Sequence, residues 1–153
     1  MLGEQIVVYT DGSCLGNPGA GGWAFIVVQG GEKKSFTGGE KFTTNNKMEL
    51  TAAIKALDYL NSEGLFDKKI VLFTDSMYVK NGITSWIFGW MKNGWRNSQG
   101  KAVENADFWK ELYSLSQKFK LLEWQWTKAH SKDVLNNEVD KLAREAAAKF
   151  SGL

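Results

Sequence analysis

The sequence predicts an α/β fold, a mixed β-sheet flanked by helices, in a single domain that spans residues 1–153. Three observations support this prediction. The chain begins with apolar runs separated by glycine-rich turns, it then alternates between helical and strand-like patterns, and its 153 residues are 43% hydrophobic, which suits one core. Because a helix that crosses over between two strands requires them to be parallel, antiparallel strands come first and parallel strands follow.

Three strands, a helix and a fourth strand are predicted in the first half of the chain. Apolar runs at residues 6–10, 22–29 and 35–42 indicate three strands in a meander. The segment NKMELTAAIKALDYL then places apolar side chains on one helical face, at Leu50, Ala53, Ile54, Leu57 and Leu60. The strand-like run KIVLFT follows at Lys69–Thr74.

The second half repeats the alternation of helix and strand. A helical stripe is formed by Phe108, Trp109, Leu112 and Leu115. The segment LLEWQW alternates in strand fashion, with Leu122, Trp124 and Trp126 on one side. A closing helix is predicted over residues 137–150, with its inward face formed by Val139, Leu142, Ala143, Ala146 and Phe150.

The composition bounds the cellular setting. Cys14 is the only cysteine, so no intrachain disulfide can form, and a reducing, intracellular compartment fits. The N-terminal MLGEQIVVYT has too short an apolar run for a signal peptide, and no stretch approaches the length of a membrane span. We therefore expect a cytoplasmic protein without a membrane partner. The net charge of +2 is too small to indicate nucleic-acid binding by itself.

Two aspartates follow similar strand-like runs. IVVYTD ends at Asp11 and IVLFTD ends at Asp75. If the two strands are parallel neighbours, both carboxylates stand side by side at the carboxyl edge of the sheet and repel each other. A divalent cation bound through oxygen ligands, Mg²⁺ or Mn²⁺, would relieve that repulsion. The alternative is that each aspartate merely begins a turn, but the matched pair favours the metal site.

Two further acids can complete such a site. Glu49 is the third residue after Asn46 and Asp140 the third after Asn137, so each could instead take part in helix capping. Glu49 nevertheless shares a helical side with Ala53, Ala56 and Leu60, and Asp140 shares one with Ala143 and Ala147. Both acids should therefore point partly inward. Four carboxylates together suit a pair of bridged Mg²⁺ ions.

The glycine-rich segment DGSCLGNPGAGGWA raises the possibility of a nucleotide cofactor. Gly19, Gly21 and Ala24 have the spacing of the dinucleotide fingerprint, but the next residues, WAFIVV, indicate a strand where that motif requires a helix. No Gly-Lys-Ser/Thr follows, which excludes a Walker loop. The glycines are predicted to shape a tight turn between Asp11 and the second strand.

A basic, aromatic segment contains no acid over the 28 residues 76–103. It combines Lys80, Lys92, Arg96 and Lys101 with Trp86, Trp90 and Trp95. Basic groups neutralise phosphates and aromatic faces stack on sugars or bases, so a nucleic-acid arm is indicated. The alternative is a helical hairpin with core tryptophans and solvated lysines. Trp86 is expected to be largely structural, and Trp90 and the basic residues to be more exposed.

Several spaced motifs together resemble type 1 ribonuclease H over nearly the whole chain: YTDGSCLGNPGAGGW, TTNNKMEL, TDSMYVKNGI, WIFGWMKNGW and AHSKDVLNNEVDKLA. The resemblance implies a five-stranded mixed sheet in the order 3-2-1-4-5, with a basic protrusion at about residues 83–101. It implies a monomeric endonuclease that binds an RNA/DNA hybrid and hydrolyses its RNA strand with two Mg²⁺ ions. By the same resemblance, Asp11, Glu49, Asp75 and Asp140 are the metal-binding acids.

The resemblance also assigns substrate contacts. Asn17, Asn45 and Asn46 should bind around the minor groove, where ribose 2′-hydroxyls distinguish RNA from DNA. Thr44, Trp90 and Asn105 are expected at the DNA strand. The predicted set is completed by Cys14, Trp86, Lys92, Arg96 and Asn136.

The region around His130 departs from the family pattern. Ala129 and Lys132 stand where the family usually has glycine, and Asn137 replaces a frequent glutamate. Elsewhere, Met77 stands where glutamine is common. Since histidine titrates near neutral pH, His130 is expected to move protons or help product to leave; the alternative is an incidental surface residue.

Three rival functions share parts of this pattern. The four carboxylates argue against a hybrid-binding module without catalysis. The asparagines and the basic arm argue against another nuclease of the same fold. For a Mg²⁺-dependent phosphatase, the aromatic arm would be superfluous.

Overall fold

The computed structural model describes residues 5–128 and 132–152, and their strands form one five-stranded sheet. The strands are β1 (Gln5–Cys14), β2 (Gly19–Gln29), β3 (Glu32–Thr43), β4 (Lys69–Thr74) and β5 (Leu121–Trp126). Their order is β3-β2-β1-β4-β5. The pairs β1/β2 and β2/β3 are antiparallel, whereas β4 is parallel to both β1 and β5. The predicted mixed sheet and its strand order are confirmed.

Helices cover both faces of the sheet. They are α1 (Asn45–Ser62), α2 (Met77–Asn81), α3 (Ile87–Lys92), α4 (Ala106–Ser116) and α5 (Val134–Phe150). A π-helical turn, Gly82–Trp86, joins α2 to α3. In the described part of the chain, no helix is both long and apolar enough to cross a membrane.

Alternation along the strands divides the core into two layers. On β1, Ile6 and Val8 face the larger layer, which contains the buried residues of α1 and α4. Tyr9 faces the smaller layer and packs with Val139 and Ala143 of α5. All five apolar residues predicted to form the inner face of α1 are buried. The sheet is thus enclosed by helices while its carboxyl edge carries polar residues.

The helix α5 begins one turn earlier than predicted. Asp133 caps it, because its Oδ1 accepts hydrogen bonds from the amides of Leu135 at 3.1 Å and Asn136 at 3.3 Å. The predicted start at residue 137 is therefore wrong. Phe150 was expected to point inward but is 36% exposed.

The predicted glycine turn is also shorter than expected. The connection between β1 and β2 includes Gly16, whose φ is +66°, but Gly19, Gly21 and Gly22 already belong to β2. At Gly22 a Cβ would overlap the backbone of α5, so the missing side chain permits close packing of helix on strand.

The basic segment starts as one nearly continuous helical path through α2, the π-helical turn and α3. Gly82 opens that turn, and a Cβ there would overlap the Trp109 ring. Trp109 is fully buried on α4, so this contact anchors the segment to the main core. The segment then continues through Trp95, whose amide nitrogen lies 2.7 Å from the carbonyl of Trp90.

Candidate active site

Three carboxylates converge at the carboxyl edge of the sheet. The parallel register of β1 and β4 pairs Thr10 with Thr74, so Asp11 and Asp75 occupy adjacent positions. Glu49 approaches from α1. One oxygen from each of these three carboxylates lies within 4.8 Å of the other two. The neighbour relationship of the two aspartates that the sequence predicted is confirmed.

Glu49 is fixed by the strand that carries Asp11. The amide of Gly12 donates to Glu49 Oε1 at 2.8 Å and also contacts Asp11 Oδ1 at 2.9 Å. Glu49 is buried, and the cap of α1 is Thr44, whose Oγ1 accepts from the amide of Lys47 at 3.2 Å. The capping alternative for Glu49 is therefore wrong.

The three carboxyl groups shift one another's pKa values. Burial raises the pKa of Asp11 to about 11, and the nearby Glu49 and Asp75 carboxylates add to that increase. Burial is also the largest cause that raises the pKa of Glu49 and of Asp75. Asp11 Oδ2 is buried, and no described residue forms a hydrogen bond with it. An oxygen-only set of acids with an unpaired buried oxygen fits a hard divalent cation.

Asp140 lies at the border of this group. It contributes to the raised pKa of Asp11 and to that of Asp75, which places it beside both. Its side chain is 23% exposed, and Arg144 Nε lies 3.2 Å from Asp140 Oδ2. Because α5 begins at Val134, Asp140 stands in the second turn and is not a capping residue. Both this acid and Glu49 point partly inward, as predicted.

Two of the three predicted minor-groove residues, Asn17 and Asn46, line one cleft of about 380 Å³. Its walls are formed by Asn17, Pro18, Thr44, Asn46, Lys47, Glu104 and Asn105. Asn17 Oδ1 accepts a hydrogen bond from the amide of Asn45 at 2.9 Å, which joins the β1–β2 turn to α1. Cys14 is half-buried, with its Sγ 3.4 Å from the carbonyl oxygen of Thr43.

Asn105 has a left-handed backbone, with φ +59°. Its Nδ2 donates to the Tyr78 hydroxyl at 3.1 Å, and Trp109 Nε1 lies 3.3 Å from the same oxygen. Tyr78 was missed by the sequence reasoning because a tyrosine on a short helix carries no distinguishing pattern. A non-glycine residue in this backbone region commonly marks a functional position.

Two of the three tryptophans of the arm, Trp86 and Trp90, are exposed in the opposite order from the prediction. Trp86 is 43% exposed, whereas Trp90 is half-buried with its ring 5.4 Å from that of Trp109. The expectation that Trp86 would be the structural residue is wrong. Lys92 and Arg96 are exposed, as expected.

His130 and Ala129 lie outside the described residues. Among the described residues, Asn136 is buried and its Nδ2 donates to the carbonyl of Lys128 at 3.4 Å. Asn136 Oδ1 is buried and has no hydrogen-bond partner within residues 5–128 and 132–152. Asn136 therefore ties α5 to the chain that enters the His130 segment.

Comparison with known proteins decides the family. The model of the RNase H family matches residues 3–148. The chain belongs to the ribonuclease H family. As a ribonuclease H, it is an endonuclease that hydrolyses the RNA strand of RNA/DNA hybrids.

Relatives of similar length support the assignment of this chain to the ribonuclease H family. The chain is 49% identical to ribonuclease H of Neorickettsia sennetsu over 149 residues, and this alignment covers 97% of the chain and 96% of the relative. It is 43% identical over 150 residues to ribonuclease HI of Neisseria meningitidis, which covers 98% of the chain and 100% of the relative.

Two solved structures show the same fold. LC9-RNase H1, a type 1 RNase H with the type 2 active-site motif, superposes with a TM-score of 0.84 at 31% identity, covering 97% of this chain and 74% of that one. LC11-RNase H1, solved in complex with an RNA/DNA hybrid, gives a TM-score of 0.73 at 23% identity, covering 94% and 97% of the two chains.

Proposed function

We propose that this ribonuclease H works with two Mg²⁺ ions, which Mn²⁺ can replace, held by Asp11, Glu49, Asp75 and Asp140. The observation that carries the proposal is the convergence of three carboxylates within 4.8 Å, around an Asp11 oxygen that is buried and unpaired. Without a cation, three ionised carboxylates at this distance repel one another strongly.

The protein groups supply geometry. When bound, divalent ions in such a site provide positive charge that activates a water and stabilises the departing oxygen of the cleaved phosphate. Asp11 is held within the β1 ladder, and the Gly12 amide orients Glu49 toward it. Asp140 reaches the group from α5 and can exchange its exposed contact with Arg144 for a metal ligand role.

The asparagine cleft is the proposed site for the minor groove. Asn17, Asn45 and Asn46 offer short amides that can bind 2′-hydroxyls and base edges, which identifies the RNA strand. Thr44 and Asn105 line the same cleft, and we assign them to contacts with the DNA strand. We also assign Asn136 and the thiol of Cys14 to substrate contact.

The basic arm is the proposed second contact. Lys92 and Arg96 are exposed and suit backbone phosphates, and the exposed face of Trp86 can pack against a sugar. Trp90 contributes at its remaining exposed edge. The single cysteine and the compact single domain support a cytoplasmic monomer.

The decisive experiment uses a hybrid labelled on each strand, with and without Mg²⁺. Cleavage confined to the RNA strand is expected, and Asp11→Asn and Asp140→Asn should each lower kcat by at least about a hundredfold. Asp58→Asn, an exposed aspartate on α1, is the matched control and should retain activity. Cleavage of the DNA strand, or full activity in Asp11→Asn, would contradict the proposal.

His130 is proposed as an auxiliary that moves protons or assists product release. His130→Ala should slow turnover and leave hybrid binding and Mg²⁺ dependence intact. An unchanged rate would return His130 to the role of an incidental surface residue.

A further inference from the structure

A short hydrogen bond joins the sheet to the beginning of α5. The hydroxyl of Tyr9 donates to Asp133 Oδ2 at 2.6 Å. Tyr9 is buried on the α5 face of β1, and its ring stacks on Phe73 with centroids 4.7 Å apart. The donor is therefore held by both strand pairing and ring stacking, so its direction is well defined.

The acceptor also has a second role. Asp133 uses its other carboxylate oxygen to cap α5 through the amides of Leu135 and Asn136. One side chain thus connects the first turn of the helix to a central strand. Among the described residues, the buried contacts between α5 and the sheet are apolar, formed by residues such as Val139 and Ala143 against Ala24 and Ile26. A second polar contact, the ion pair of Lys33 on β3 with Glu138 on α5 at 2.8 Å, is exposed to solvent, which weakens it. Apolar packing of small side chains has little directionality, so it resists sliding along the helix axis less than a hydrogen bond does.

Both partners of this hydrogen bond are close in sequence to proposed metal ligands. Tyr9 is two residues before Asp11 on the same strand, about 7 Å along it. Asp133 is seven residues before Asp140, about two turns, so both lie on the same side of α5. The bond therefore joins β1, which carries Asp11, to α5, which carries Asp140. On each element the bonded residue is only a short distance along the chain from the proposed ligand.

We propose that Tyr9 is a positioning residue that fixes α5 axially on β1 through Asp133 and thereby sets where Asp140 stands relative to Asp11. This inference rests on the metal role proposed above for Asp140. The same contact fixes Asp133 at the end of the chain segment that contains His130, while Asn136 holds Lys128 at its beginning. Tyr9 and Asp133 touch neither the substrate cleft nor the three converging carboxylates.

Two substitutions separate the contact from its surroundings. Tyr9→Phe keeps the ring that stacks on Phe73 and removes only the hydroxyl. Asp133→Ser keeps a side chain that caps helices well but is too short to reach Tyr9. Asp133→Asn keeps one acceptor oxygen that can cap α5, and its Nδ2 can donate to the Tyr9 hydroxyl oxygen, so it preserves both contacts and serves as the conservative variant.

Three measurements on the full chain test the inference. Titration calorimetry with Mg²⁺ alone should show binding weakened about tenfold in Tyr9→Phe and Asp133→Ser, the lower end of the range for residues that orient metal ligands. Amide hydrogen exchange at Leu135 and Asn136 should be faster in Tyr9→Phe. At subsaturating Mg²⁺, kcat should fall while KM for the hybrid stays within about twofold of its original value.

Matched controls exclude a general effect of lost stability. Tyr59→Phe removes a hydroxyl on the opposite face of the sheet, and Ile26→Val makes a small cavity beside Tyr9 without touching its hydrogen bond. Both controls and Asp133→Asn should bind Mg²⁺ as the unmodified chain does. The double variant Tyr9→Phe/Asp133→Ser should be no worse than either single variant, since both remove the same contact.

Two outcomes overturn the inference in distinguishable ways. If Tyr9→Phe loses thermal stability but binds Mg²⁺ and turns over normally, the hydrogen bond only stabilises the fold. If Asp140→Asn also binds Mg²⁺ normally and remains active, the metal role of Asp140 is itself wrong, and the inference fails with it.

Discussion

The amide nitrogen of Gly12 lies 2.8 Å from Glu49 Oε1, so the residue that follows Asp11 directly holds a second carboxylate of the site. This contact requires the backbone of β1 to approach α1 closely. A Cβ at Gly12 would overlap the backbone of Met48 and Glu49. Glycine is therefore needed here to bring two acids from different elements together.

Replacing Gly12 should damage both the fold and the site. Gly12→Ala is expected to lower the free energy of unfolding by about 2 to 3 kcal/mol, because backbone atoms must move to admit the methyl group. Urea unfolding measures this loss. Gly89→Ala on α3 is the control: its Cβ would meet nothing within 4 Å, and alanine should raise helix stability by about 0.5 to 1 kcal/mol. Equal stability of the two variants would contradict the prediction.

The acid cluster should make the metal-free protein less stable as pH rises. The pKa of Asp11 in the folded protein is about 11, above the value of about 4 for an aspartate in an unfolded chain. Between these values the folded chain retains a proton that the unfolded chain has released, so the free energy of unfolding decreases with pH. Thermal unfolding in a chelator at pH 6 and pH 9 should give a lower Tm at pH 9.

The Asp11→Asn variant and added Mg²⁺ provide two further tests of this pH dependence. Asp11→Asn should flatten the pH dependence and stabilise the metal-free protein at pH 8 by on the order of 2 kcal/mol, the usual cost of a buried polar group without a partner. Added Mg²⁺ should raise the Tm of the unmodified chain more at pH 8 than at pH 5.5. A Tm that rises from pH 6 to pH 9 without metal would be inconsistent with the buried acids.

Substitutions of Trp86 and Trp90 should have separate effects, one on hybrid binding and the other on stability. Trp86→Ala removes an exposed ring and is expected to weaken hybrid binding by about 1 to 3 kcal/mol, with little loss of stability. Trp90→Ala removes a ring packed against Trp109 and should cost about 2 to 3 kcal/mol of folding free energy. Binding is measured in an Asp11→Asn background and stability by urea unfolding. If Trp86→Ala instead lowered stability and Trp90→Ala only weakened binding, the proposed orientation of the arm would be wrong.

The basic residues of the arm should determine the salt dependence of binding. Lys92→Ala and Arg96→Ala should each lower the slope of log affinity against log salt by about 0.7 to 0.9, the contribution of one phosphate contact. Titrations of a labelled hybrid at several salt concentrations provide the slope. Lys120→Ala is the control, since Lys120 pairs with Asp67 at 2.9 Å away from the arm and should leave the slope unchanged.

Regular periodicity made most of the fold predictable. The strand Lys69–Thr74 and the inner face of α1 follow directly from apolar spacing, and the parallel pairing of β1 with β4 follows from the need for helical crossovers. The meeting of Asp11 and Asp75 depended only on that register. These features are set by local patterns that few competing contacts can override.

The incorrect predictions concern positions where two local conformational preferences compete, such as two possible helix caps. Asn137 and Asp133 are both good caps, and Asp133 prevails with the added hydrogen bond from Tyr9, which is distant in sequence. Trp86 was expected to be structural and Trp90 to be more exposed, and the structure reverses this order. The π-helical turn inserts extra backbone and rotates the later side chains, which no apolar spacing reveals.

β1 extends three residues beyond Asp11 and pairs with β2 along that extension, with Asp11 opposite Ala24 and Gly12 opposite Trp23. Asp11 therefore cannot shift without breaking the ladder of a central strand. Glu49, Asp75 and Asp140 stand on a helix, after a strand end and on another helix. Asp11 is thus the stationary reference point of the proposed metal site, and Glu49 is tied to it through the Gly12 amide. Of the four proposed ligands, Asp75 and Asp140 are therefore the ones left to accommodate a bent or mispaired hybrid.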